Sequence, residues 1–360
     1  MPRHLDVLIA GQGIAGSLLA YHLMARGLDV CIADPGAPDG TASRAAAGIL
    51  SPYTGRRYKA PGELDAMLAE CHSTYQSIAR TIGVTVYHPQ PIWRIVQRQP
   101  ELTDIERRRH ERPGRELISP VQHNGLPEGM RAPLGATRID GGGQVDMETL
   151  LSGLRHWFME RESLIPEQLT APAMTGPTGG ALEWRGLRAD VVVFCDGAAA
   201  FANPWWRGLP WRASRGETVD VEPARPDTWP RVIVTGGKSL VPMAPGRYRI
   251  GSTYDHASQA GAPTGEAQRT LLDALPGLTD GDPTARVVGA RTGIRPGSRT
   301  GNPFTGFHPA APRIGILNGL GSRGTLHAPW LARRLAERIV DGTPLPDHVD
   351  VAHLSGLPTR

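Results

Sequence analysis

Two glycine-rich stretches present backbone N–H groups at spacings that suit an anionic ligand. The first is Gly11-Gln12-Gly13-Ile14-Ala15-Gly16. In this spacing Gly11 permits a tight turn, Gly13 lets backbone approach a pyrophosphate, and Gly16 lets a helix pack closely on a strand. The free N–H groups and dipole of a helix start favour negative charge. Asp34 follows at the distance where an acid accepts hydrogen bonds from ribose hydroxyls. Together they point to dinucleotide binding. The second stretch, Gly319-Leu320-Gly321-Ser322-Arg323-Gly324, repeats the same glycine spacing late in the chain.

Elements must hold these residues in place. Leu5–Ala10 is mostly apolar and reads as a buried parallel strand. Leu18, Leu19, Leu23 and Met24 recur at helical spacing up to Gly27, and Asp29–Ala33 reads as a second strand ending at Asp34. Arg313–Asn318 reads as a late strand, followed by a helix through Trp330, Leu331, Leu335, Ile339 and Val340. A second complete dinucleotide unit fails on space, because no further strand with a ribose-binding acid follows. The late loop is read instead as returning to the first cofactor. FAD is long enough to need such a contact at its flavin end.

Further stretches occur in a fixed order. They are Ser43–Leu50, Ala189–Ala198 with Cys195-Asp196-Gly197, Arg247–Thr253, Gly293-Ile294-Arg295-Pro296, and the late glycine loop followed by Ala328-Pro329. With them the chain resembles the FAD-dependent amine oxidase superfamily that includes glycine oxidase, D-amino acid oxidase and sarcosine oxidase. Within it, the nearest resemblance is to the flavin domain of the bifunctional bacterial enzyme that modifies the tRNA wobble uridine. The resemblance implies an α/β fold, with a Rossmann-like FAD-binding domain and an inserted α+β substrate domain on a mostly antiparallel sheet. Residues 1–82, 141–210 and 300–360 are assigned to the first, and 83–140 and 211–299 to the second. It implies FAD contacts from Gly11, Gly13, Ile14, Ala15, Gly16, Asp34, Ser43, Arg44, Ala47, Gly48, Cys195, Asp196, Gly197, Gly321, Ser322, Arg323, Gly324 and Thr325. No Cys lies near the late loop, so the cysteinyl-flavin of sarcosine oxidase is not expected and FAD is non-covalent.

The implied chemistry is transfer of a hydride equivalent from a C–H beside an amine to flavin N5. The imine hydrolyses and O2 reoxidises the flavin. A bidentate Arg suits a substrate carboxylate, and Arg295 occupies the family's G-[IL]-R-P position. Arg323 faces the flavin C2=O or the substrate. Tyr248 is assigned to the catalytic set and, like Tyr254, either hydrogen-bonds substrate or packs in the core. Lys238 is a candidate for promoting O2 activation, and the polar stretch Tyr53–Lys59 with Arg56-Arg57 for covering the cofactor or contacting an acidic substrate. His72, His308 and His327 carry no paired carboxylate spacing and read as structural. Ser298–Pro303 departs from the family, which often places an acid there, and no methyltransferase half accompanies the sequence. Two alternatives stay open: a stand-alone tRNA wobble-uridine demodifying oxidase, and an FAD-dependent hydroxylase or cyclase on the same scaffold.

Composition bounds these readings. The chain has 360 residues, 40% apolar, with 44 Gly and 33 Pro. This suits a turn-rich globular enzyme of one large or two interlocked domains. No apolar run is long enough for a membrane span. Cys31, Cys71 and Cys195 are odd in number and far apart, which excludes a disulfide framework and zinc spacing, and no metal is expected. The net charge is +4, yet the densest basic run, Glu106–Arg112, is interleaved with acids and reads as a solvated helix face. A tRNA partner is therefore not favoured. No signal segment precedes the first strand, so a cytoplasmic location is expected. Expected elements include a helix over Glu63–Arg80, substrate-domain strands at Val84–Tyr87 and Ile92–Val96, and a helix from Val145 to Glu162. The turn Asp140–Gly143 is read as lacking a buried strand before it. A hairpin is expected around Pro242, Pro245 and Gly246, and an extended, partly disordered tail from Gly342 to Arg360.

Overall fold

The computed structural model describes residues 3–36, 40–55, 57–111, 114–176, 182–256, 261–282, 284–354 and 357. The first of three sheets runs in the order Phe304–His308, Ala311–Asn318, Leu187–Phe194, Arg3–Ala10, Val30–Ala33, Leu164–Ile165. A seventh strand, Leu182–Trp184, pairs with Leu187–Phe194. The inner strands are parallel. Val7 and Ile9 face a cluster with Leu18, Leu19 and Leu331, while Leu5 and Leu8 face another with Phe194 and Trp206. Both faces are covered, as a continuous apolar strand requires. Helix Ile14–Met24 is buried from Ile14 to Leu23, wedged between this sheet and helix Gly324–Asp341.

The second sheet has eight strands, in the order Gly40–Thr41, Ala285–Ser298, Trp211–Pro223, Arg247–Gly251, Lys238–Ala244, Ile233–Gly236, Ile92–Ile95, Ala136–Ile139. It is antiparallel apart from two pairings. Side chains alternate across it. Val219, Val221, Tyr248 and Ile250 enter a core with Trp229 and Leu240. Thr218 opposite Gly251, and Asp220 opposite Arg249, fall on the other face.

Several expectations change. Tyr87–Pro89 joins a third sheet with Ile49–Leu50 and Gly143–Val145, so only Tyr87 of the expected Val84–Tyr87 strand is a strand residue, and outside the second sheet. Val145 is likewise in a strand. Helix Met147–Met159 starts later because the Asp146 carboxylate caps it, accepting from the Glu148 and Thr149 N–H groups. The turn Asp140–Gly143 does follow a mostly buried strand, Ala136–Ile139. It is filled by neighbouring chain: a Cβ on Gly142 would lie 2.5 Å from the Leu50 carbonyl. The segment after Gly342 is no free tail as far as residue 354. Leu345, Val349 and Val351 are buried, and the Thr305 N–H donates to the Val349 carbonyl.

Other expectations stand. Leu64, Met67, Cys71, Tyr75 and Ile78 make the buried stripe of helix Leu64–Ile82, and Pro245-Gly246 turns the hairpin between Lys238–Ala244 and Arg247–Gly251. Helix Pro100–His110 pairs Arg107, Arg108 and Arg109 with Asp104, Glu111 and Glu106. Arg112, at the end of that run, lies outside the described residues. No described helix is long and apolar enough to cross a membrane.

Candidate cofactor and active site

One continuous cavity of about 1270 Å³ is walled by both large sheets. Small-molecule sites usually measure roughly 300–1,000 Å³, so it has room for an elongated ligand and a second small molecule. At one end the Arg3–Ala10 strand delivers Gly11, Gly13, Ile14 and Ala15 to the wall, beside Asp34, Ser43, Cys195, Asp196 and Gly197. Gly11 has φ +99°, and a Cβ there would meet the Cys195 carbonyl at 2.6 Å. The Ser43 hydroxyl accepts from the Ile14 N–H at 3.1 Å.

Asp34 is held by three donors. The Gln12 N–H reaches Oδ2 at 2.8 Å; the Gly36 N–H and Arg155 Nη1 reach Oδ1 at 2.7 and 2.9 Å. Sequence reasoning missed Arg155, because its helix carries no motif. Burial pushes the Asp196 carboxyl up to about 6 despite donors from Asn203 and Asn318. Burial also raises the Cys195 thiol, so it is no ready nucleophile.

The second sheet fastens the middle of the cavity. Thr218 Oγ1 donates to the Ala45 carbonyl at 3.1 Å, and Arg249 Nη1 to the Ala46 carbonyl at 2.8 Å. Asp220 grips Arg249 bidentately at 2.6 and 2.9 Å. This fixes the loop carrying Ala47 and Gly48, both of which line the cavity.

The late loop supplies Gly321, Ser322, Arg323, Gly324 and Thr325 to the wall. Helix Gly324–Asp341 begins there without a side-chain cap. Its Pro329 removes the N–H that would bond the Thr325 carbonyl. The Tyr75 hydroxyl donates to that carbonyl instead, at 2.7 Å. Thr325 Oγ1 donates to the Ile49 carbonyl at 2.7 Å. Arg323 donates to the Gly301 carbonyl at 3.0 Å.

Arg295 also lines the cavity. Its Nη2 donates to Ser252 Oγ at 2.6 Å, its Nη1 contacts the Thr253 carbonyl and Ser214 Oγ at 3.3 and 3.4 Å, and its guanidinium lies 4.4 Å from the Tyr254 ring centre. A Cβ at position 216 would fall 1.9 Å from Nη2, so a side chain there would displace the guanidinium from this position. Among the described residues no carboxylate lies within ion-pair distance of Arg295.

Three expected site residues do not line the cavity. Gly16 backs the first turn: a Cβ there would lie 1.9 Å from the Gly11 carbonyl. Arg44 contributes its carbonyl to Arg291, at 3.4 Å. Tyr248 is a correction. It is 4% exposed and packs 5.0 Å from Trp229, because strand alternation sends it to the opposite face from Arg249. Tyr254 reaches the cavity instead. His72 contacts the Tyr87 hydroxyl, and His308 packs between Trp205 and Trp206. His327 is buried, and none of the three histidines is a lining residue. Lys59 and Lys238 do line it; Arg56 lies outside the described residues.

The DAO family of FAD-dependent oxidoreductases matches residues 6–338. The chain belongs to this family. Glycine oxidase of Pseudomonas aeruginosa is 28% identical over 359 residues, covering 95% of this chain and 96% of that protein. The tRNA 5-methylaminomethyl-2-thiouridine biosynthesis bifunctional protein MnmC of Maricaulis maris is 26% identical over 343 residues, covering 94% of this chain. The chain spans 52% of that bifunctional relative. The crystal structure of glycine oxidase from Geobacillus kaustophilus superposes with a TM-score of 0.80 at 23% identity, covering 95% and 96% of the two chains. It shares the fold, an FAD-binding α/β domain with an inserted domain. The cavity fits FAD, the family's cofactor: a helix start whose N-cap Gly13 has no side chain to cap it, an acid beside it, and a second helix start at the far end without a side-chain cap.

Proposed function

We propose that this FAD-dependent oxidoreductase oxidises the C–N bond of a small amine or amino acid, with O2 as electron acceptor. The observation that carries this reading is Arg295. It lines the cavity, has no carboxylate partner among the described residues, and leaves part of its five-donor fork unused. A substrate carboxylate matches that fork.

In this reading Gly11, Gly13, Ile14, Ala15, Asp34 and Ser43 hold the adenosine and pyrophosphate end, with Cys195, Asp196 and Gly197 alongside. Ala47, Gly48 and Gly321–Thr325 enclose the flavin end, while Gly16 and Arg44 support from behind. FAD, when bound, supplies the hydride acceptor. The chain positions the substrate C–H and excludes water. Arg323 and the start of helix Gly324–Asp341 put positive potential where reduction builds negative charge. Segments 1–82, 141–210 and 300–360 form the FAD domain in this proposal, and 83–140 with 211–299 the substrate domain.

The bifunctional relatives motivate a tRNA alternative. The small-molecule reading is preferred because the densest basic run ion-pairs with acids on its own helix surface. Oxygen uptake with glycine, N-methylglycine, D-alanine and other small amines is the test. One H2O2 per O2 consumed, with a carbonyl product, is expected. Uptake driven by NAD(P)H and by no amine would overturn the proposal in favour of a hydroxylase. Salt-dependent tRNA binding with no amine turnover would favour the nucleic-acid alternative.

A further inference from the structure

The substrate side of the cavity carries more positive charge than one carboxylate needs. Lys238 opens the strand Lys238–Ala244 and lines the cavity. Its ammonium donates to the Ser252 carbonyl at 3.0 Å, while Arg295 donates to the hydroxyl of the same serine at 2.6 Å. Two cations therefore flank one residue. Among the described residues neither has a carboxylate within ion-pair distance. Of the acids lining the cavity, Asp34 and Asp196 belong to the Gly11 end. Glu101 is engaged by Arg98 at 3.4 Å and the Gln97 N–H at 3.4 Å.

Burial lowers the proton affinity of both cations, and Arg295 adds to the effect on Lys238. Desolvated like charges side by side are costly unless an occupant brings negative charge. The residue choice is also unusual for this chain. Of 39 basic residues only Lys59 and Lys238 are lysines, and both line this cavity. A lysine ammonium is a compact charge with three rotatable donors, whereas one carboxylate already satisfies an arginine fork.

We propose that the substrate compartment is built for an amine bearing two carboxylates, with Arg295 holding one and Lys238 the other. The proposal rests on the amine-oxidation reading above and sharpens its substrate class. Lys238 is then a specificity-determining residue.

The test compares N-(carboxymethyl)glycine with N-methylglycine, which differ by one carboxylate, as reductants of the holoenzyme in anaerobic stopped flow. The efficiency of flavin reduction is expected to favour the dicarboxylate by roughly tenfold to a hundredfold, the range for a hydrogen bond to a charged group. Lys238→Met should bring that ratio close to one, and Lys238→Arg should keep a preference of the same sign. A wild-type ratio near one, or an unchanged ratio in Lys238→Met, overturns the proposal. Equal losses for both amines in Lys238→Met overturn it too, since Lys238 would then share the first carboxylate. A second measurement needs neither variant nor turnover. Malonate and succinate should perturb the flavin absorbance of the wild-type holoenzyme at least about tenfold more tightly than acetate and propionate. Equal affinities contradict the two-cation site. If neither amine reduces the flavin while the dicarboxylates still bind tighter, the oxidation reading fails and the two-cation site stands.

Discussion

Arg295 is placed by other side chains rather than by its own strand alone. Ser252 and Ser214 fix the fork, Tyr254 lies along one side, and Gly216 leaves the space. Arg295→Lys keeps the charge but loses the two-pronged geometry, so it should raise the half-saturation of flavin reduction. Arg295→Met should raise it further, by roughly 3–5 kcal/mol for an unpaired buried charge. Unaltered half-saturation in both variants contradicts the assignment. Asp196 allows a separate test. Burial raises its carboxyl to about 6 in the folded protein, above the ordinary value near 3.9. The folded state thus prefers the protonated form. Its contribution is full below about pH 4 and is lost as pH rises through about 6. The wild type should gain thermal stability relative to Asp196→Asn as pH falls from about 7 to 4. A pH-independent difference would show that Asp196 titrates normally. At this scale the sequence was informative where a motif fixes the backbone, as at Gly11; the Gly293–Pro296 motif pointed to Arg295, which lines the cavity, but not to the neighbours that fix its fork. It left Tyr248 between the pocket and the core, because strand pairing decides which face a residue takes.

The helix Gly324–Asp341 illustrates how an element is anchored at the cavity. Pro329 leaves the Thr325 carbonyl without its helical donor, and the Tyr75 hydroxyl takes that place at 2.7 Å. Tyr75→Phe should cost about 0.5–1.5 kcal/mol, because it removes the stronger donor to this buried acceptor and leaves only the Cys71 thiol, at 3.6 Å. Pro329→Ala restores the N–H, so the double variant should lose less than Tyr75→Phe alone, read by thermal unfolding as a double-mutant cycle. Additive losses would mean that the two residues do not share that carbonyl. Long elements were legible from apolar periodicity: the stripe of Leu64–Ile82, the first strand and the last helix. The third sheet was not. Its strands are two or three residues long, too short to display a period, and their pairing spans residues 49 to 145.

At the scale of the whole molecule, two sheets of different construction enclose one cavity. The parallel sheet contributes glycine turns at strand ends, as open α/β sheets do. The antiparallel sheet contributes a patterned face with Thr218, Arg249 and Arg295, which grips the loop after Ser43 and presents a cation. The order of the motifs carried this arrangement in the sequence. The ion pair between Asp220 and Arg249 did not show there, since only the pairing of their strands brings them together. The segment after Gly342 was likewise unreadable, because its buried residues are few and cover an edge strand. In the proposed function this enclosure presents a small amine carboxylate to a bound flavin. Anaerobic titration of the purified holoenzyme with such amines, and separately with NADH and NADPH, tests it most directly. An amine carboxylate is expected to bleach the flavin fully, and neither nicotinamide is. A flavin that stays oxidised with every amine but is reduced by NADH or NADPH would contradict it.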